Sequence, residues 1–236
     1  MVHYLSVAGK HHNYENENNQ DAIQFMQKGK FCAMVLADGV STCSQAKYGA
    51  ETACKAVVDF LLQHAERFFN MNERDTADSL IAHILYELRM AAEKAHKKVE
   101  EYSSTLACIL VDRSRHRMFY FSIGDSLITA TKNDKCYIVA MPADSRNGCC
   151  VTTSFNAVTM ARTGIIDTDN IQSVMISSDG AWHLMYQRNR LLQPIKAMIL
   201  NKDYEKLKET LLEQERFDDC SFITIDLKEF LRRKPA

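Results

Sequence analysis

Proline and glycine are both scarce in this chain, at 3 and 8 residues among 236. Collagen-like and low-complexity disordered classes, which are rich in them, are excluded. An excess of one charge is missing too, with 29 Lys+Arg against 30 Asp+Glu and a formal net charge of −1. That balance supplies no global basic field for nucleic acid and no acidic tail. No apolar run approaches the roughly 18 residues that span a bilayer. Residues Met1–Lys10 lack the basic start and apolar stretch of a secretory signal. A cytoplasmic protein without membrane or nucleic-acid partners is therefore expected. None of the 8 cysteines forms a Cys-x-x-Cys pair, and the adjacent Cys149-Cys150 is a poor geometry for an ordinary bridge. They are read as reduced structural residues, Cys32 and Cys108 being small hydrophobes inside apolar runs. No repeat or Pro/Gly/Ser linker divides the sequence, so a single domain over 1–236 is expected, with its core at about 3–228.

The patterns that are present switch between strand and helix. Tyr4–Ala8 and Ala22–Met26 alternate like strands, and Phe31–Ala37 is continuously apolar up to Asp38-Gly39. A strand apolar on both faces is covered on both faces and central to its sheet. Two long helical stretches follow. One covers Gln45–Phe69; the other begins after Asp75, with Asp75 or Thr76 as its cap, and carries apolar residues to Val99. Met90 on the second is read as core. Strands are then expected at Ser104–Val111, Arg117–Ile123, Ser126–Thr131, Cys136–Met141, Ser173–Ser178 and Ser221–Leu227, with helices near Leu191–Leu200 and Tyr204–Glu215. Hairpin turns are expected at Asp112–His116 and Lys132–Lys135. Two adjacent long helices between strand clusters break the alternation of a parallel sheet and predict an α+β protein with antiparallel sheets under helices.

The acids carry the chemical signal. Asp38 and Asp179 each end an apolar strand, Asp218 and Asp21 each precede one, and Asp125 sits in the short turn Ser122–Ser126. A single Asp-Gly is an ordinary turn. Five strand-end aspartates converging on one cleft would repel one another unless a hard cation such as Mg²⁺ or Mn²⁺ neutralised them. On these residues alone the chain is a metal-dependent hydrolase or a metal-binding fold.

Taken in order, Asn19-Gln20-Asp21-Ala22, Leu36-Ala37-Asp38-Gly39, Ser104-Thr105, Ile123-Gly124-Asp125-Ser126, Ser178-Asp179-Gly180-Ala181-Trp182 and Phe217-Asp218-Asp219-Cys220-Ser221 resemble the PP2C-type (PPM) metal-dependent Ser/Thr phosphatases. The resemblance runs from about residue 5 to about residue 227, and Gly9-Lys10-His11-His12 gives it a bacterial cast. It implies a four-layer αββα sandwich of two antiparallel sheets flanked by helices. It further implies hydrolysis of phosphoserine and phosphothreonine by a water bridging two Mn²⁺ or Mg²⁺ ions, without a phosphoenzyme. Asp38 would bridge the ions, the Gly39 carbonyl would bind one, and Asp179 and Asp218 would complete the other. Asp21 would hold metal-bound water, and Asp125 would serve a third ion. The implied partners are a phosphoprotein substrate and a cognate Ser/Thr kinase, with the phosphatase acting as a monomer.

Several positions depart from the family pattern. Gln20 stands where a Glu ligand of the second ion is common, and Asn16 where a phosphate-binding Arg is expected, leaving Lys10, His11 or His12 to supply that charge. Val40 replaces a histidine of animal members, so His183 becomes the candidate acid for the leaving group. Val40–Gln45 lacks the usual glycines, and the region after Thr152-Thr153-Ser154 is short, implying a small substrate flap. These departures keep two alternatives open: a PP2C-like pseudophosphatase that binds without turnover, and a phosphatase of small phosphorylated metabolites.

Overall fold

In the computed structural model, which describes residues 1–10, 19–143, 150–188, 190–215 and 217–232, the central apolar strand is Phe31–Asp38 (β3). Its side chains alternate between two cores. Ala33, Val35 and Ala37 face helices, while Cys32, Met34 and Leu36 face a second sheet. Both faces are dry, so the strand needs no polar period. On one side β3 pairs with Asp21–Lys28 (β2) and on the other with Leu106–Asp112 (β4). Arg117–Ile123 (β5) and Arg162–Asp167 (β8) extend this sheet to the order β2-β3-β4-β5-β8, antiparallel throughout. The second sheet has the order β1-β12-β9-β6-β7, from Val2–Val7 (β1), Cys220–Asp226 (β12), Ile171–Ser177 (β9), Leu127–Lys132 (β6) and Lys135–Ala140 (β7).

Helices Ala46–Gln63 (α1) and Glu73–Lys94 (α3), with the short Ala65–Phe68 (α2) and Ala157–Met160 (α4), cover the outer face of the first sheet. Asp179–Met185 (α5), Gln193–Asn201 (α6) and Tyr204–Glu213 (α7) cover the second. The layers are therefore helix, sheet, sheet, helix, as expected. A two-residue hairpin, Tyr186–Gln187 (β10) with Arg190–Leu191 (β11), follows α5, and Leu227–Arg232 (α8) ends the described chain. No helix among the described residues is long and apolar enough to cross a membrane.

Most element expectations hold to within a few residues, and both hairpin turns are where the sequence puts them. Asn133 and Asp134 both have positive φ, at 50° and 56°, as a tight two-residue hairpin requires. Five details differ. The first long helix breaks at His64, which lets Phe68 and Phe69 turn in against Phe119 and Phe31. The cap of α3 is Asn72, whose side chain accepts from the Asp75 N–H at 2.9 Å, rather than Asp75 or Thr76. That helix stops at Lys94, where left-handed His96 (φ 56°) lets the Lys97 N–H bond back to the Ala92 carbonyl. Met90 lies on its outer, exposed face rather than in the core. Strand β8 had no sequence signal, being a half-buried edge strand without alternation. No disulfide joins the described cysteines, and Cys32 and Cys108 are fully buried, as their apolar runs implied.

Candidate active site

The ends of the two sheets bring the strand-end acids together. Asp21 and Asp38 face each other as the first pair of the β2–β3 ladder. The Asp38 N–H donates to Thr105 Oγ1 at 3.1 Å and the Thr105 N–H to the Asp38 carbonyl at 2.8 Å, which fixes the strand end. Gly39 bridges Ser104, extending the β3–β4 ladder by one residue past Asp38. From the second sheet come Asp179, opening α5 after β9, and Asp218, just before β12. These two are brought side by side because α5 starts against the 218–219 backbone. A Cβ on Gly180 would lie 2.1 Å from the Asp219 carbonyl oxygen. Asp125 is placed by Gly124, whose φ of 101° disfavours any other residue and where a Cβ would lie 2.5 Å from the Thr105 side chain.

The electrostatics of these acids are those of an uncompensated cluster. Burial pushes the Asp38 carboxyl well above the usual carboxylate range, and the charges of Asp21, Asp179, Asp218 and Asp125 push it the same way. Burial lifts Asp21 to about 8, opposed by hydroxyl hydrogen bonds and reinforced by Asp219 and Asp179. Asp179 rises to about 6, first through burial, then through the charges of Asp125 and Asp218. The Asp38 carboxyl beside it acts weakly in the opposite direction. Asp21 Oδ2 accepts from the Ser178 hydroxyl at 3.1 Å, while its buried Oδ1 has no protein partner.

The donors, all oxygen and all anionic apart from the Gly39 carbonyl and the Gln20 amide, suit Mg²⁺ or Mn²⁺. The orphaned Asp21 Oδ1 is an acceptor that a cation or its hydration water would satisfy. Among the described residues, however, no three acid, histidine or cysteine side chains stand as a ready-made ion cluster. Binding would require these acids to give up their protons.

The profile of the protein phosphatase 2C family matches residues 8–214. The chain belongs to the protein phosphatase 2C family. By family it is a protein phosphatase. No curated protein sequence is significantly similar to it. Among solved structures, a bacterial serine phosphatase superposes with a TM-score of 0.72 at 15% identity, over 96% of this chain and 97% of that one. The serine/threonine phosphatase Stp1 from Staphylococcus aureus gives 0.71 at 15% identity over 95% and 94% of the two chains. RsbX in complex with magnesium gives 0.62 at 11% identity over 94% and 92%. At these identities the likeness is one of fold.

The remaining expected site residues of this phosphatase are more scattered. Gln20 is buried beside Asp21, and its backbone carbonyl accepts from the Gly39 N–H at 3.2 Å. His183 is exposed on α5, one turn from Asp179 on the same helical face, with its ring 3.8 Å from that of Trp182. Lys10 is ion-paired with Glu215 at 2.7 Å. His11, His12 and Asn16 lie outside the described residues.

Three residues that the sequence did not single out hold this phosphatase site in place. Asp219 is buried, its Oδ1 accepting from the Gly9 N–H at 2.8 Å and its Oδ2 from the Gln20 N–H at 2.6 Å. Ser178 joins Asp21 to β12 by accepting from the Ser221 N–H at 3.0 Å. The Trp182 indole N–H donates to the Asp125 carbonyl at 2.8 Å, tying α5 to the Gly124 turn. Adjacency to Asp218 or Asp179 was the only available signal for these three.

Proposed function

We propose that this chain hydrolyses phosphoserine and phosphothreonine in cytoplasmic proteins, with Asp38, the Gly39 carbonyl, Asp179 and Asp218 holding two Mg²⁺ or Mn²⁺ ions. Asp125 would serve a third ion, and Gln20 would offer an uncharged, weaker oxygen to the second. The observation that carries this reading is Asp38, half-buried at a strand end and pushed up by desolvation and by four other carboxylates around it. Bound ions would acidify a water and neutralise phosphoryl charge. Asp21 is held by Ser178 through Oδ2, which leaves Oδ1 to accept a proton-bearing water. The His183 imidazole would deliver a proton to the departing seryl or threonyl oxygen. Lys10, once released from Glu215, and His12 would meet the phosphate. A thiol nucleophile is disfavoured because burial pushes the Cys32, Cys54 and Cys108 thiols up and keeps them protonated. The substrate would come from a cognate Ser/Thr kinase, and nothing in the site calls for more than a monomer.

The test is turnover of a chromogenic phosphate ester and a phosphothreonine peptide, with Mn²⁺, with Mg²⁺ and with chelator. Activity is expected only with a cation, and Asp38→Asn is expected to lower it by about 100-fold or more. Activity that survives Asp38→Asn rejects the site. Gln20 and the absence of a ready-made ion cluster among the described residues favour, as second reading, a binding module without turnover. Phosphopeptide binding without hydrolysis under any cation would establish it. Faster turnover of phosphorylated metabolites than of peptides would redirect the substrate class.

A further inference from the structure

A groove of about 700 Å³, lined by none of the five strand-end aspartates, lies between the start of α3, the helix α4 and the first residues of β8. Its polar lining is Arg74, Arg162, Glu73, Tyr120, Thr159 and Thr163. Among the described residues neither guanidinium takes part in an ion pair, so two cations face one acid. Arg162 donates instead to the Met141 carbonyl. The same segment returns to the acid cluster, because the Ala143 N–H bonds the Gly124 carbonyl at 3.0 Å, next to Asp125.

Register limits how far apart the two sites are. Arg162 pairs with Ser122 across β5–β8, and Asp125 follows Ser122 by three residues, with Gly124 and Asp125 in the turn beyond β5. Three residues span at most about 10 Å, and the turn makes the distance along the sheet shorter. An extended peptide covers this span in three or four residues. Charge then sets what the groove selects. The groove offers guanidinium groups outside any ion pair among the described residues, and their geometry matches carboxylate or phosphate.

We propose that this arginine groove binds an acidic segment of the phosphoprotein substrate, with Asp, Glu or a second phosphoresidue three to six positions from the residue being dephosphorylated. The proposal rests on the phosphatase reading and deepens it. Arg74 and Arg162 are binding residues: they contribute to substrate affinity and leave the reacting atoms untouched.

Two phosphothreonine peptides, one with acidic residues at those positions and one with alanines there, would be compared on the wild type and on Arg74→Glu. Arg74 is exposed in the first turn of α3, where an acid suits the helix dipole, so Arg74→Glu is expected to fold normally. The acidic peptide should show a lower KM than the neutral one. Arg74→Glu should raise that KM by about threefold to tenfold, leave kcat and the chromogenic ester unchanged, and be partly rescued by Arg74→Lys. Direct binding of the acidic peptide, followed by fluorescence anisotropy with chelator present, should weaken in parallel and fall with added salt. Equal KM values for the two peptides, or an unchanged KM in Arg74→Glu, would overturn the groove while leaving the phosphatase reading intact. An equal loss on the peptide and the chromogenic ester would overturn it too. A chromogenic ester left intact by the wild type would defeat the phosphatase reading, with anisotropy still deciding the groove.

Discussion

Raising the pH of the metal-free protein from about 5 to about 7 should weaken its fold. Asp21 titrates at about 8 in the folded chain, against an ordinary value of 3.8. Between those limits the fold retains a proton that the unfolded chain has released, so stability falls as pH rises. Asp21 alone contributes about 3 kcal/mol over two pH units. Asp179, at about 6, adds to the loss in the lower part of the window, and Asp38 acts in the same direction. For a chain of this length the change corresponds to a fall in Tm of about 6–12 °C. The assay is thermal unfolding by circular dichroism in chelator at several pH values. Asp21→Asn, similar in shape and uncharged, should flatten the slope. Mn²⁺ should reverse it, because a cation binds the ionised cluster and stabilises the fold most where the protons have left. A Tm that holds level or rises with pH in chelator, or an undiminished slope in Asp21→Asn, would refute the claim that these carboxylates are buried without compensation.

Other substitutions test the supports of the site. Asp219→Ala strands the Gly9 and Gln20 N–H groups and should cost about 2–4 kcal/mol in urea unfolding; a loss below about 1 kcal/mol would mean that water replaces the carboxylate. Gly124→Ala forces a Cβ to 2.5 Å from the Thr105 side chain at φ 101°, so a loss of about 2–3 kcal/mol is expected, together with weaker Mn²⁺ binding in calorimetry. Trp182→Phe keeps a ring but removes the donor to the Asp125 carbonyl. Stability should change by about 1 kcal/mol or less while turnover falls about tenfold, and unchanged turnover would detach Trp182 from the site.

How much of this was legible depended on whether the cause was local. The apolar run of β3 and the acids at strand ends are visible because periodicity and the end of an apolar run are properties of neighbouring residues. Strand β8 was invisible since it is held by pairing with β5 and shows no alternation of its own. The cap of α3 was misplaced by three residues because Asn, Asp and Thr all suit that role, and only the Asn72–Asp75 bond decides between them. In the site, each aspartate and the repulsion among them could be read from the strand ends, but the hydrogen bonds that hold the acids could not. Those bonds join residues far apart in sequence, such as Ser178 to Asp21, 157 positions apart, and Gly9 to Asp219, 210 apart. Asp219 looked like a duplicate of Asp218; burial and two backbone donors give it a different task.

The two oxygens of Asp219 also determine where the chain can change length. One takes the Gly9 N–H and the other the Gln20 N–H, so both positions are pinned to a single carboxylate. The cost of closing a chain between two pinned points grows only slowly with its length, about 0.6 kcal/mol per doubling. A change of length between Gly9 and Gln20 is therefore expected to leave Asp21, one position beyond the tie, in place, whatever it does to Lys10 and His12. Length variation among relatives should be tolerated here and resisted between Asp38 and Gln45, where no such tie isolates the acids.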